Sequence, residues 1–209
     1  MFLPNRRSPV ARLALITAAI GLFLLGYYWG NRYQYGSRTP PAIDGILVTP
    51  PPPLPAFALE DQQLQPITRD DLSGHWSLFA VAALSRAEGH RAVARLIQVH
   101  NRLADQPDLQ RELALMLIAT AGERREFQDF ARLSPALKLV SGDAAELARL
   151  EEFFGYDPAE PDTLGILYLV DPQGRMLALF ARELEANRVA QDIRTIRDHH
   201  AHFAGPSGD

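Results

Sequence analysis

The stretch Gly165-Ile166-Leu167-Tyr168-Leu169-Val170-Asp171-Pro172-Gln173-Gly174-Arg175-Met176-Leu177-Ala178-Leu179-Phe180 decides the fold. Gly165–Val170 is a short apolar run, as expected of a strand covered on both faces. Asp171-Pro172-Gln173-Gly174 places proline second and glycine fourth in a four-residue turn, the positions that a tight reversal favours. Met176–Phe180 then returns as a second, antiparallel strand. After it, Glu185 to His202 reads as a helix with Val189, Ile193 and Ile196 on its inner face.

Working outward, the same alternation runs back toward residue 57. Phe57–Leu59 and Pro66–Thr68 flank the polar turn Glu60–Gln63 and form a short hairpin. Trp76–Leu84 and Leu113–Ile118 are further continuous apolar runs, and Leu137–Val140 is a short strand. Between them lie helical patterns over Arg91–Leu103 and Glu123–Leu133. In a fourth, Asp143 is the cap, Glu146 stands three residues on, and Leu147, Leu150, Phe153 and Phe154 are the buried face. Helices joining buried strands require right-handed crossovers and cover both faces of a sheet, so the periodicity predicts a three-layer α/β sandwich with an N-terminal hairpin.

The first forty residues have a different character. Leu13–Trp29 carries no charge, and a helix is the only single-segment way to satisfy its backbone in hydrocarbon. Tyr27, Tyr28, Trp29 and Tyr33 supply an interfacial aromatic cluster at its end. The expected organisation is a cytoplasmic tail over 1–12, a transmembrane helix over 13–30, a proline-rich tether over 31–56, an α/β domain over 57–203 and a flexible tail over 204–209. Arg6, Arg7 and Arg12 precede the apolar run, while Arg32 and Arg38 follow it, so the N-terminus is expected in the cytoplasm. The domain is then expected in the periplasm of a bacterial inner membrane, or in the equivalent space of an organelle. A cleaved signal peptide is the competing reading, against which stand the bulky aromatics where small residues belong. Pro40, Pro41, Pro50, Pro51, Pro52, Pro53 and Pro55 bias the tether to extended backbone; it serves as a spacer or as a proline-rich recognition segment.

Composition excludes several activities. The chain has no cysteine, which removes disulfides, thiol redox chemistry, thiolate nucleophiles and cysteine-based metal sites. Residues 1–38 hold five arginines and no acid; the remainder carries 16 basic residues against 25 acids, a formal charge of −9. An acidic domain is poorly suited to nucleic acid, whose affinity rests on lysine and arginine. Neither a glycine-rich phosphate loop nor a serine elbow nor a metalloprotease helix is present.

Several segments resemble, in order, the SCO/SenC family of thioredoxin-like proteins. They are Leu54-Pro55-Ala56-Phe57-Ala58-Leu59-Glu60-Asp61; Ile67-Thr68-Arg69-Asp70-Asp71-Leu72-Ser73-Gly74-His75-Trp76; Val140-Ser141-Gly142-Asp143-Ala144-Ala145-Glu146-Leu147; and the strand and turn Leu167–Arg175. The resemblance spans about residues 45–200 and implies a thioredoxin-like fold, with the terminal hairpin and helix in their usual places. The family is known for delivering copper to cytochrome c oxidase subunit II, or for thiol chemistry during its maturation. Its site is a C-x-x-x-C loop after the first central strand plus one later histidine, two soft thiolates and an imidazole suited to copper(I). Counted without gaps, the cysteine positions fall here on Arg86 and His90, and the histidine position on Thr163. The resemblance therefore implies a degenerate member that keeps the scaffold without the copper ligands.

The expected function is that of a non-catalytic, membrane-anchored assembly factor or accessory subunit of a respiratory heme–copper oxidase, with no cofactor. Its expected partners are oxidase subunits or other assembly factors. The loops Leu84–Arg91 and Gly155–Leu164 are expected to meet at one end of the sheet, with Ser85, Arg86, Glu88, His90, Asp162 and Thr163 as the contact residues. The alternative is a periplasmic metal-binding protein using the C-terminal histidines His199, His200 and His202, with His90 as a further candidate ligand. The plainer reading of those three is polar decoration of a helix end. His90 reads equally as a loop or helix-start histidine, and His100 as a hydrogen-bonded boundary residue. The pairs Asp70/Asp71 and Glu151/Glu152 read as cap and surface residues.

Overall fold

The structure is a computed structural model and describes residues 41–122 and 124–204. The expected tail 1–12, the helix 13–30 and residues 205–209 lie outside the described residues. Among those described, no helix is long and apolar enough to cross a membrane.

Among the described residues, eight strands form one sheet: β1 (Ile46–Leu47), β2 (Ala58–Asp61), β3 (Pro66–Thr68), β4 (Trp76–Ala83), β5 (Leu113–Ala121), β6 (Leu137–Ser141), β7 (Leu167–Val170) and β8 (Met176–Phe180). Their spatial order is β1-β8-β7-β4-β5-β6-β2-β3. β4, β5 and β6 run parallel, in register from Trp76 opposite Leu113 and from Leu115 opposite Leu137. β7 lies antiparallel to both β4 and β8. The helices are α1 (Ala87–Asn101), α2 (Pro107–Glu112), α3 (Arg124–Ala131), α4 (Ala144–Phe154) and α5 (Ala186–Ala204), with 3₁₀ turns at Arg69–Leu72 and Pro161–Thr163.

Period-two alternation on β4 feeds two cores. Trp76, Leu78, Ala80 and Ala82 pack with Leu96 and Val99 of α1 and with Val189 and Ile193 of α5. Phe79 and Val81 pack on the opposite face with Leu150 and Phe154 of α4. The continuous apolar runs are thus strands buried twice over, and the three layers expected from the sequence are present. The deciding turn is organised by Asp171, which is fully buried. Its Oδ1 accepts the N–H groups of Gln173 and Arg175 at 3.0 and 2.8 Å, and Gly174 at φ 72° completes the reversal. Asp143 caps α4 by accepting the N–H groups of Ala145 and Glu146. The expected reciprocal bond from Glu146 is replaced by a pair with Arg149, one turn along the helix surface.

The tether over 31–56 needs correction. From Ala42 onward the chain is part of the domain. Ile46 and Leu47 pair with Leu179 and Ala178, extending the sheet at the edge of β8. Leu54 is 1% exposed in the α4-side core, its N–H donates to Gly174 O, and Met176 N–H donates to Pro52 O. The buried carboxylate of Asp192 on α5 accepts the N–H groups of Asp44 and Gly45 at 3.0 and 2.8 Å. A Cβ on Gly45 would lie 2.5 Å from the Phe180 ring, so only glycine passes there. Proline-rich composition signals extended backbone, and an edge strand is also extended, so composition does not separate a spacer from a strand.

Candidate functional site

The loop after β4 and the start of α1 carry Ser85, Arg86, Glu88 and His90. Gly89, in the first turn of α1, lets that turn sit against the end of β4: a Cβ there would meet Ala83 O at 2.3 Å. Ser85 and Arg86 are exposed, and Arg86 occupies the N-cap position of α1 without a capping side chain. Glu88 is half-buried and accepts a hydrogen bond from the Tyr156 hydroxyl at 3.3 Å. Tyr156 follows the left-handed Gly155 that ends α4, and is 6% exposed. Burial pushes its phenol up from the ordinary value, opposed by a hydrogen bond with Thr120 at the end of β5. One phenol therefore joins the α1 start, the β5 end and the loop after α4. The two loops expected to meet do so through Glu88 and Tyr156.

The second loop is closed on itself. Thr163 Oγ1 lies 2.7 Å from Asp157 O and accepts the Asp157 N–H at 3.0 Å. Asp162 is exposed, and its charge faces Arg182, whose guanidinium donates to Pro161 O at 3.3 Å. Glu151 is pushed up by burial and by the nearby charge of Asp157, while Glu152 is exposed. Asp71 behaves as the expected cap: its Oδ2 accepts the Thr68 N–H at 2.7 Å and the hydroxyl at 2.8 Å, which hold its carboxyl below the usual value.

Arg95, which the sequence did not single out, makes three side-chain hydrogen bonds near this end. Its guanidinium donates to Gly165 O at 2.5 Å, Ala181 O at 2.6 Å and Leu184 O at 2.9 Å. Burial pulls it down from the ordinary value, and Glu183 partly opposes this. It stands beside a groove of about 720 Å³ whose walls include Arg91 and Gln98 of α1 and Leu184 and Glu185 of the β8–α5 loop. Tyr156 and Arg95 were legible only as a residue after a helix-ending glycine and as a lone cation between Ala92 and Leu96.

His90 leaves the group. It is exposed, and its ring packs 4.8 Å from that of Phe130 on α3. No side-chain hydrogen bond or ion pair joins Arg86, His90 and Thr163 among the described residues. Of the C-terminal histidines, His200 is engaged elsewhere. His200 packs edge-on against Trp76 at 5.2 Å, with Nε2 3.5 Å from Asp171 Oδ2. The side chain of His202 lies outside the described residues, and among those described no group of three or more histidine or acidic side chains is arranged to hold a metal ion. His100 is the boundary residue expected, its Nε2 3.1 Å from Gln110 O while Gln110 Nε2 donates back to His100 O at 2.9 Å.

This donor set does not fit copper(I), which takes soft sulfur ligands. Neither Arg86 nor His90 carries sulfur, the guanidinium of Arg86 repels cations, and the Thr163 hydroxyl is engaged by its own loop.

The architecture is thioredoxin-like. The copper-bound ScoI of Bradyrhizobium japonicum superposes with a TM-score of 0.53 at 18% identity, covering 67% of this chain and 96% of that one. Yeast Sco1 superposes with a TM-score of 0.59 at 15% identity, over 70% of this chain and 98% of that one. The thioredoxin domain of a thiol-disulfide oxidoreductase from Bacteroides vulgatus gives 0.52 at 14% identity, over 69% and 94%. No family model and no curated protein matches the chain. The structural neighbours thus include the family that the sequence segments resemble, in a chain without cysteine.

Proposed function

We propose that the chain is a non-catalytic assembly factor or accessory subunit of a respiratory heme–copper oxidase, acting by protein–protein contact. Residues 13–30 anchor it in a bacterial inner membrane, with the domain in the periplasm. The observation that carries this reading is the closed end of the domain. Where the Sco proteins have a metal-binding or redox loop, this chain has a guanidinium, a ring-packed imidazole and a phenol–carboxylate bridge. That end is suited to presenting a surface and unsuited to exchanging metal or electrons. The contact face comprises Ser85, Arg86, Glu88, Asp162 and Thr163. His90, also on α1, lies to one side of them with its ring against Phe130 of α3. The engagement of His200 with Trp76 and Asp171 speaks against the histidine metal site as the main activity.

The test is affinity capture of the tagged full chain from detergent-solubilised membranes. Oxidase subunits or oxidase assembly factors are expected in the eluate, and are expected to diminish when Arg86 and Asp162 are both replaced by alanine. An eluate free of oxidase components would overturn the reading. Protease added to spheroplasts should digest the domain; protection would overturn the assigned orientation.

A further inference from the structure

We propose that Arg95 is the positioning residue of this contact end: a single guanidinium that holds the loop entering β7 and the loop leaving β8 at one fixed spacing from α1. The inference rests on the contact reading above, and its own observable is independent of any partner.

Three main-chain oxygens from two separate loops converge on one side chain of a third element. Gly165 O lies at the end of the contact loop, and Ala181 O and Leu184 O flank the turn into α5. A guanidinium is planar and offers five donors in a rigid fork, so it spans several acceptors at once. An ammonium carries the same charge on a flexible stem and lacks that fork. Among the described residues, the carboxylate whose charge favours the Arg95 cation is Glu183, itself exposed and paired with Arg182. Arg95 is thus solvated chiefly by carbonyl dipoles rather than neutralised by a salt bridge. That arrangement fixes backbone geometry, because every donor aims at the main chain. Gly165 at φ 75° leaves room beside Arg182, where a Cβ would come within 3.2 Å of the Arg182 Cβ. The loop carrying Asp162 and Thr163 ends at this clamp, so its placement relative to Glu88, about two turns of α1 before Arg95, follows from it. A preset surface binds with less ordering cost than a mobile one.

The test compares the full chain with its Arg95→Met and Arg95→Lys variants by amide hydrogen exchange. Amides of 163–166 and 182–185 are expected to exchange about tenfold faster or more in Arg95→Met, the scale of losing hydrogen bonds to a charged group. Arg95→Lys is expected to loosen at least one of the two loops, because charge alone does not replace the fork. Amides of β5 and β6 are expected to be unchanged in both, and capture of oxidase components to fall in both. Unchanged loop exchange in Arg95→Met would overturn the proposal. So would equal acceleration throughout β5 and β6, which is the pattern of a core residue, or loosened loops with undiminished capture. If the unaltered chain captures no oxidase component, the functional reading fails, and the clamp stands or falls on the exchange pattern alone.

Discussion

The hydroxyl of Tyr156 lies 3.3 Å from Oε1 of Glu88, joining residues 68 positions apart across the end of the sheet. The bond forms where Thr120 also reaches the phenol, in a setting dry enough to push the phenol up. It closes the gap between the two loops that the sequence places together.

Replacing Tyr156 with phenylalanine keeps the ring in the α4-side core and removes the bridge. The expected cost is about 1 kcal/mol, the net value of one such hydrogen bond. A shift in the urea midpoint at unchanged slope is the measurement. A Tyr156→Phe protein as stable as the unaltered one, with the 155–164 loop exchanging no faster, would show that the bridge does not hold the loops.

Buried phenols make the domain sensitive to alkali. Tyr168 is 1% exposed, donates to Phe154 O at 2.6 Å, and is pushed up to about 12 by burial; Tyr156 moves in the same direction. In the unfolded chain both ionise near pH 10. Above that pH the folded state holds more protons than the unfolded one, so stability falls as pH rises. This contribution is complete below about pH 10 and is lost toward about pH 12. Absorbance titration at 295 nm should show two phenols resisting ionisation until unfolding. Ionisation of all tyrosines in one step near pH 10 without unfolding would contradict their burial.

Asp171 should separate turn from charge. Asp171→Asn keeps an acceptor for the Gln173 and Arg175 N–H groups and loses the charge facing His200 and Arg175, the latter's side chain being 41% exposed and able to turn to water. Asp171→Ala strips both backbone donors as well. The alanine variant is expected to be less stable than the asparagine variant by about 1–3 kcal/mol, the scale of unsatisfied buried groups. Equal urea midpoints for the two would remove the turn role.

The corrected domain boundary makes a fragment prediction. A fragment starting at residue 42 keeps β1, Leu54 and the Asp192 contacts; one starting at residue 57 loses all three. Burial of Leu54 alone contributes about 2 kcal/mol, so the shorter fragment should melt well below the longer one. Equal melting temperatures would restore residues 42–56 to the status of a tether.

The strands, their order along the chain and the terminal hairpin were legible because each rests on a local rule. Leu167–Val170 is apolar throughout because both faces are covered, and Asp171-Pro172-Gln173-Gly174 is shaped by proline and glycine at fixed offsets. Asp143 was legible as a cap because its side chain acts within three residues. β1 was not legible, because two residues after a proline-rich run acquire strand geometry only from the free edge of β8. His90 was placed with Thr163 by counting along the chain, yet its ring turned to Phe130, since the direction of a side chain depends on which helix packs beside it.

By itself the sequence determined the absence of thiol chemistry, the three-layer α/β class and the family of scaffolds to which it is similar. These follow from residue identities and from periodicity, which act over a few residues. The tertiary structure alone decided that Tyr156 meets Glu88, that Arg95 reaches three carbonyls in two loops, and that residues 42–56 belong to the domain. Each of these joins groups distant in sequence, and such contacts exist only once the packing of helices on the sheet has brought their backbones within hydrogen-bond reach.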